Sequence, residues 1–318
     1  MKALVTGAAG FIGSTLVDQL LNMNIEVVGV DSFTPYYSSQ RKELNLRKAL
    51  ANPRFTLHRI DLAVDDLSDV LSGVTDIFHQ AGQPGVRSSW GPEFLEYVNW
   101  NVWATQRLLE HSKGMAGLRS FVAASSSSIY GTAEHFPTRE SDSPQPISPY
   151  GVTKLASEHL CTLYGKQFEV PTVALRYFTV FGPRQRPDMA IGKIIKAGLT
   201  NQVFPLLGDG SQSRDFSFVS DVAQANILSS AALRNGLDPG SVFNVGGGNP
   251  VSMAEVIRLV SEIERTEVKT VSIPREAGDP MRTGADVEAI FKATGWVHKT
   301  SFMEGLEQQI SWSQAEDQ

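Results

Sequence analysis

An apolar run, Ala3–Thr6, is joined to an amphipathic segment, Phe11–Asn22, by Gly7-Ala-Ala-Gly10-Phe-Ile-Gly13. Glycines at such a joint allow a tight strand-to-helix turn. They also let backbone amides approach a pyrophosphate, which meets the positive end of the helix. The first gap is one residue wider than in Gly-x-Gly-x-x-Gly, so the triplet depends on its context. That context is a strand before, a helix after, and Asp31 at the end of a second strand, Glu26–Val30. A carboxylate there accepts hydrogen bonds from a ribose diol and repels a 2′-phosphate, which favours NAD over NADP.

Further short apolar runs at Phe55–Arg59, Asp76–Gln80, Arg119–Ala124 and Val173–Tyr177 alternate with helical patterns, notably Pro92–His111 and Pro149–Phe168. This alternation predicts an α/β fold with a Rossmann-type doubly wound parallel sheet covered on both faces. Ser148-Pro149 supplies an N-cap and a first-turn proline for the last of these helices. Beyond Tyr177, prolines and glycines cluster at Gly182-Pro183, Arg186-Pro187, Pro205 and Gly208-Asp-Gly210. A smaller, discontinuous C-terminal substrate-binding lobe is expected over residues 179–318. It follows a dinucleotide-binding domain over 1–178, which residues 220–246 rejoin through a helix, Ser220–Leu233, and a strand, Val242–Val245.

The 318 residues suffice for one large domain or two lobes. A net charge of −6 gives no general attraction to nucleic acid or to an anionic membrane. The lone cysteine, Cys161, forms no internal disulfide and is expected to be buried in a chain kept in a reducing compartment. With neither a signal-peptide pattern nor a membrane-length apolar run, the expected location is cytoplasmic. The histidines show no metal-ligand spacing. His79 is expected to be structural. Trp90, Trp100 and Trp103 read as packing, because no basic stripe accompanies them.

Tyr150 and Lys154 are one helical turn apart, with Ser125–Ser128 upstream. The i, i+4 spacing puts both on one helix face. An ammonium there favours the phenolate, typically by about one to three units, and brings a base toward working pH. With the glycine turn, the pattern predicts a nicotinamide enzyme that moves a hydride to or from an alcohol carbon.

Several segments together resemble the extended short-chain dehydrogenase/reductase family, and within it the nucleotide-sugar 4-epimerases, especially those acting on UDP-glucuronate. They are Thr6–Gly13, His79–Ser88, Asn101-Val102 with Thr105, Ser126-Ser-Ser-Ile-Tyr130-Gly131, Ser148–Lys154 and Arg176–Met189. The resemblance runs from Met1 to about Trp312. It implies catalysis by Tyr150, Lys154 and Ser126. The implied NAD contacts are Gly7, Gly10, Phe11, Ile12, Gly13, Asp31, Asp61, Leu62, Gln80, Ala81, Gly82, Asn101, Tyr150, Lys154 and Tyr177. The implied sugar contacts are Arg87, Ser127, Ser128, Thr179 and Arg186, with Arg214 at the diphosphate and Asp279 at the uridine ribose. Arg214 has an alternative reading as an ion-pair partner of Asp215 or Asp221. Ala104, Pro84 and Gln80 depart from the family's usual residues.

The implied reaction is reversible inversion at carbon 4 of UDP-glucuronate, giving UDP-galacturonate through a 4-keto sugar. The 4-keto group lies beta to the carboxylate, so the site must restrain decarboxylation; Ser127, Ser128, Thr179 and Arg186 are the candidates. Three alternatives stay open. One is an epimerase of a neutral UDP-hexose. Another is a decarboxylase or 4,6-dehydratase, whose members usually carry an acidic residue where this chain has Ser127 and Ser128. The third is a non-catalytic dinucleotide-binding regulator. The resemblance also implies a homodimer through Pro92–His111 and Pro149–Phe168.

Overall fold

A computed structural model describes residues 1–274 and 278–316. The first half alternates β1 (Lys2–Thr6), α1 (Phe11–Asn22), β2 (Glu26–Val30), α2 (Ser39–Leu50), β3 (Phe55–His58), α3 (Ser68–Leu71) and β4 (Asp76–His79). It continues through α4 (Phe94–Tyr97), α5 (Ala104–Lys113), β5 (Ser120–Ser126), α6 (Pro149–Phe168) and β6 (Thr172–Tyr177). The remainder holds β7 (Thr179–Phe181), α7 (Ala190–Thr200), β8 (Phe204–Leu207), β9 (Ser213–Phe218), α8 (Val219–Arg234) and β10 (Ser241–Val245). Then come β11 (Pro250–Ser252), α9 (Met253–Glu264), β12 (Thr270–Ile273), α10 (Glu288–Thr294) and α11 (Phe302–Glu316).

Seven parallel strands form the main sheet in the order β10-β6-β5-β4-β1-β2-β3. All six residues of β6 are buried, as expected of a strand covered on both faces. Leu16, Val17 and Leu20 of α1 and Val222 and Ala223 of α8 share one core with the sheet. Leu108 and Leu109 of α5 and Cys161 and Tyr164 of α6 share another. The strand order reverses between β1 and β4, and a crevice opens beyond the carboxyl ends of strands at such a point. The smaller lobe has a sheet β11-β9-β7 and the pair β12-β8. Its core includes Phe181, ringed by Phe216, Phe218 and Phe302 at centroid distances of 5.9, 5.6 and 5.0 Å.

Two sequence readings need correction. The helix expected over Pro92–His111 is not one continuous α-helix. A 3₁₀ turn, Gly91–Glu93, leads into α4, a π-helical stretch over Val98–Trp103 follows, and α5 completes it. The wider winding leaves the Asn101 carbonyl to the hydroxyls of Thr105 (2.6 Å) and Ser157 (2.7 Å), which ties this helix to α6. Strand β5 also runs past Ala124 to Ser126, because Ser125 and Ser126 pair in register with Arg176 and Tyr177.

A buried ion pair fixes α6 to the sheet. Arg176 of β6 donates from Nε and Nη2 to Glu158 of α6 at 2.9 and 2.7 Å, and Ser125 Oγ donates to the same carboxylate at 2.6 Å. Arg176 Nη1 reaches the Tyr130 hydroxyl at 2.6 Å, which donates to Asn244 Oδ1 of β10 at 2.7 Å. Glu158 and Arg176 are 3% and 5% exposed. Removing one partner therefore leaves a buried charge without its counterion. Glu158→Ala is expected to cost about 3–5 kcal/mol of stability, read by urea unfolding; a loss well under 1 kcal/mol would contradict this role.

Candidate functional site

The crevice at the strand reversal is one continuous cleft. Gly7, Gly10, Phe11, Ile12 and Gly13 line its floor, and Asp31, Asp61 and Leu62 line one end. Gln80, Ala81, Gly82, Asn101, Tyr150, Lys154, Tyr177 and Arg186 line the other. The glycines are required by close packing. Gly7 has φ +65°, and a Cβ there would lie 2.9 Å from the Ala81 backbone. A Cβ on Gly13 would sit 2.0 Å from the Gly7 carbonyl. No side chain caps α1, and its first turn carries no carboxylate, which leaves its leading amides suited to an anion.

At the far end, Asp31 Oδ2 accepts from Ala9 N–H at 3.1 Å, and Oδ1 accepts from Phe33 N–H at 2.8 Å. Each oxygen keeps lone-pair capacity for a diol. Lys42, absent from the sequence reading, is 5% exposed and places Nζ 3.5 Å from Asp31 Oδ1. Ser32, Thr34, Tyr36 and Tyr37 of the same strap also line the cleft. They escaped notice because a polar loop and an amphipathic helix look solvent-facing until the fold lays them across the crevice.

At the reacting end, Ser148 Oγ caps α6 by accepting from Gly151 N–H at 3.1 Å, with Pro149 in the first turn. Tyr150 is held between Ser126, at the end of β5, and the edge of Tyr97, whose ring centre is 6.2 Å away. Burial pushes the Tyr150 hydroxyl above its ordinary pKa; a hydrogen bond with Ser126 and the charge of Arg186 draw it back. Lys154 Nζ donates to the Ala124 carbonyl at 2.5 Å, and burial lowers its pKa to about 8. The Arg186 guanidinium that acts on Tyr150 comes from a segment far along the chain.

That segment is braced on three sides. Arg184, in a left-handed conformation at φ +68°, pairs with Asp18 of α1 at 2.7 Å. Gln185 Oε1 accepts from Gly192 N–H at 3.0 Å and from Gln309 Nε2 at 2.8 Å. Arg186 donates from Nε and Nη2 to the two oxygens of Asp188, each at 3.0 Å.

Supporting contacts surround the cleft. Asn101 Oδ1 accepts from Gln83 N–H at 2.7 Å, and its Nδ2 donates to Thr153 Oγ1 at 3.0 Å. Gln80 is held by Asn226 (2.9 Å) and lies 2.9 Å from the Tyr177 hydroxyl. His79 bridges Thr6 (2.8 Å) and Thr105 (2.9 Å), and burial depresses its pKa to about 3, consistent with a neutral structural residue. The Cys161 thiol is buried and pushed up to about 12. Trp100 Nε1 donates to Asp61 and Trp103 Nε1 to the Ala63 carbonyl, both at 3.0 Å. Trp90 and Trp103 remain 49% exposed, so the packing expected of them is incomplete within one chain.

Several expected sugar contacts lie outside the cleft lining. Ser127 and Ser128 form a short 3₁₀ turn after Ser126, and Ser128 N–H donates to Ser126 Oγ at 3.1 Å. Arg87 opens a 3₁₀ turn after β4, and Thr179 begins β7. Arg214 of β9 forms an ion pair with Asp279. The alternative pairing of Arg214 with Asp215 or Asp221 is overturned. Asp215 accepts backbone hydrogen bonds from Gly247, Gly248 and Ala285, and Asp221 from Lys299 and Thr300. Among the described residues no cluster of acidic, histidine or cysteine side chains suits a metal ion, and no helix is long and apolar enough to cross a membrane.

Comparison with known proteins places these features in a family. The sequence model of the NAD dependent epimerase/dehydratase family matches residues 3–246. A Bacillus subtilis (strain 168) protein named as an uncharacterized UDP-glucose epimerase, YtcB, is 41% identical over 313 residues, covering 98% of both chains. A UDP-glucuronate 4-epimerase of Thermodesulfobacterium geofontis (strain OPF15) is 33% identical over 317 residues, 98% of this chain and 95% of that one. The crystal structure of UDP-glucuronic acid 4-epimerase from Bacillus cereus, in complex with UDP-glucuronic acid and NAD, superposes with a TM-score of 0.94. It shares 39% identity and covers 99% of this chain and 100% of its own.

The electrostatics of Tyr150 give a signed pH prediction. The Ser126 hydroxyl lowers the Tyr150 pKa, so Ser126→Ala raises it and leaves less phenolate at a given pH. The acidic limb of the kcat/KM profile should therefore move to higher pH. An unmoved limb would remove Ser126 from contact with the ionising oxygen.

Proposed function

The chain belongs to the NAD dependent epimerase/dehydratase family, and from that premise we propose that it inverts carbon 4 of UDP-glucuronate, interconverting it with UDP-galacturonate. The coarser reading, an NAD-dependent enzyme of the UDP-sugar 4-epimerase type, rests on the family match together with the relatives and solved structure above. The observation that carries the finer one is a guanidinium, Arg186, lining the cleft close enough to act on Tyr150.

The cleft fits NAD. Close-packed glycines and uncapped α1 amides suit the pyrophosphate, and Asp31 suits the adenosine ribose. Asp61 and Leu62 would lie beside adenine; Gln80, Ala81, Gly82, Asn101 and Tyr177 would lie on the nicotinamide side. When bound, NAD would supply a reversible hydride acceptor. Tyr150 takes the 4-hydroxyl proton, and Ser126 hydrogen-bonds the reacting oxygen as charge develops on it. Lys154, anchored on Ala124, would hold the nicotinamide ribose and favour the Tyr150 phenolate. Arg214, with Asp279 alongside, would hold the UDP portion while the 4-keto sugar turns over. Ser127, Ser128, Thr179 and Arg186 would restrain the carboxylate against loss of carbon dioxide, and Arg87 would close the sugar side.

A neutral UDP-hexose is the second reading, favoured by one observation: Asp188 already offsets the Arg186 charge. The deciding experiment incubates purified protein with UDP-glucuronate and with UDP-glucose, identifies the sugar products and assays carbon dioxide. UDP-galacturonate without carbon dioxide is expected, and Tyr150→Phe should abolish it while retaining NAD. Turnover of UDP-glucose alone would select the second reading, and stoichiometric carbon dioxide would make the protein a decarboxylase.

We further infer a cytoplasmic homodimer. The single buried thiol suits a reducing compartment. Val152 and Leu163, each 49% exposed, lie three turns apart on one face of α6, and Leu95 (64%) and Trp103 (49%) are exposed on the helix packed beside it. Leu163→Glu should convert a two-chain mass to one chain in sedimentation equilibrium. An unchanged mass would place any interface elsewhere.

A further inference from the structure

Three segments distant in sequence meet at the Tyr36 hydroxyl. Tyr36 comes from the strap that follows Asp31, and its hydroxyl donates to Asp188 Oδ2 at 3.2 Å. It rests on Gly85, where a Cβ would lie 2.6 Å from the Tyr36 oxygen and 2.6 Å from Ser88 Oγ. The Gly85 loop is held by Tyr97, whose hydroxyl lies 2.9 Å from the Pro84 carbonyl, 2.8 Å from the Gly85 carbonyl and 2.7 Å from Ser88 Oγ. Asp188 spends both oxygens on the Nε and Nη2 of Arg186. Among the described residues no hydrogen-bond acceptor takes Arg186 Nη1, so one edge of the guanidinium is fixed and the other is left for a ligand.

We propose that Asp188 and Tyr36 are positioning residues that aim Arg186 at the substituent on carbon 5 of the sugar, and that they set the preference for a uronate over a neutral hexose. The proposal rests on the reading that Arg186 meets the sugar carboxylate. A free arginine side chain samples many rotamers, and ordering it opposes binding. Clamping the Nε–Nη2 edge removes that cost before the sugar arrives. Asp188 also offsets the positive charge, so recognition depends on directed hydrogen bonds more than on net charge. The Asp188 carboxyl is held below its ordinary range by Arg186 and Tyr36, although burial opposes this, so the clamp stays ionised at neutral pH.

Orientation and net charge make opposite predictions for Asp188→Asn, which loosens the guanidinium but unmasks its charge. If charge governs, the uronate binds more tightly; if orientation governs, more weakly. Steady-state kinetics with UDP-glucuronate and UDP-glucose should be measured for Asp188→Asn, Tyr36→Phe, Arg186→Ala and the Asp188→Asn/Arg186→Ala double variant. Melting temperature and retained NAD serve as controls. Asp188→Asn is expected to lose about tenfold in kcat/KM on the uronate, mainly through KM, and less than about twofold on the hexose. Tyr36→Phe, which removes one oxygen, should shift the same ratio by a smaller factor. In the Arg186→Ala background, Asp188→Asn should add nothing, because it acts through that arginine. An unchanged or improved uronate KM, an equal loss on both sugars, or additive losses in the double variant would overturn the proposal. If Arg186→Ala itself treats the two sugars alike, the carboxylate reading fails. If Arg186→Ala separates them and Asp188→Asn does not, the positioning proposal alone fails.

Discussion

The reacting end of the cleft depends on the buried pair between Glu158 and Arg176. The catalysis proposed for this set of groups needs Ser126 at the end of a strand and Tyr150 and Lys154 on a helix to meet with little freedom. The pair bolts that helix to the adjacent strand, and Ser125 ties the serine-bearing strand to the same carboxylate. Through Tyr130 and Asn244 the network reaches β10, the edge strand contributed by the later part of the chain. A buried ion pair is a poor source of net stability, but its fork geometry specifies a unique arrangement once the cost of burial has been met.

The same economy runs through the cleft, where a charged pair stands at either end. Lys42 faces Asp31 at one end and Asp188 faces Arg186 at the other. Each pair is nearly neutral in sum yet presents directed donors and acceptors. Such pairs suit a ligand that is polar at both ends.

What was legible in the sequence follows from how local its cause is. The glycine turn is dictated by contacts among neighbours: Gly13 packs on Gly7, and the helix start follows within a few residues. The capped start of α6 and the i, i+4 pair on it are equally local. Glu158 was within reach, being a further four residues along the face that carries Tyr150 and Lys154, while Arg176 interrupts an apolar strand that needs a buried partner. The strap bearing Tyr36 and the ammonium of Lys42 gave no such sign, because their burial arises only when the loop crosses the crevice. The lobe strands are short and broken by proline and glycine, so period-two patterning had little length in which to show. The contact of Lys154 with the Ala124 carbonyl was hidden for a related reason. Spacing places a charge on a helix face but says nothing of a carbonyl such as that of Ala124, on which it is anchored.

The π-helical stretch over Val98–Trp103 has a consequence for how the chain can change. Such winding holds about one residue more than an α-helix along the same path, and each residue advances a helix by about 100°. Deleting one residue there would rewind the stretch as α-helix and swing Tyr97, with Phe94 and Leu95, by about that angle relative to Asn101 and Thr105. Tyr97 would leave Tyr150 and the Gly85 loop, while Asn101 kept its place beside Gln83. The extra residue works as a phase shifter: it lets one helix serve two walls of the cleft that a uniform winding could not face together.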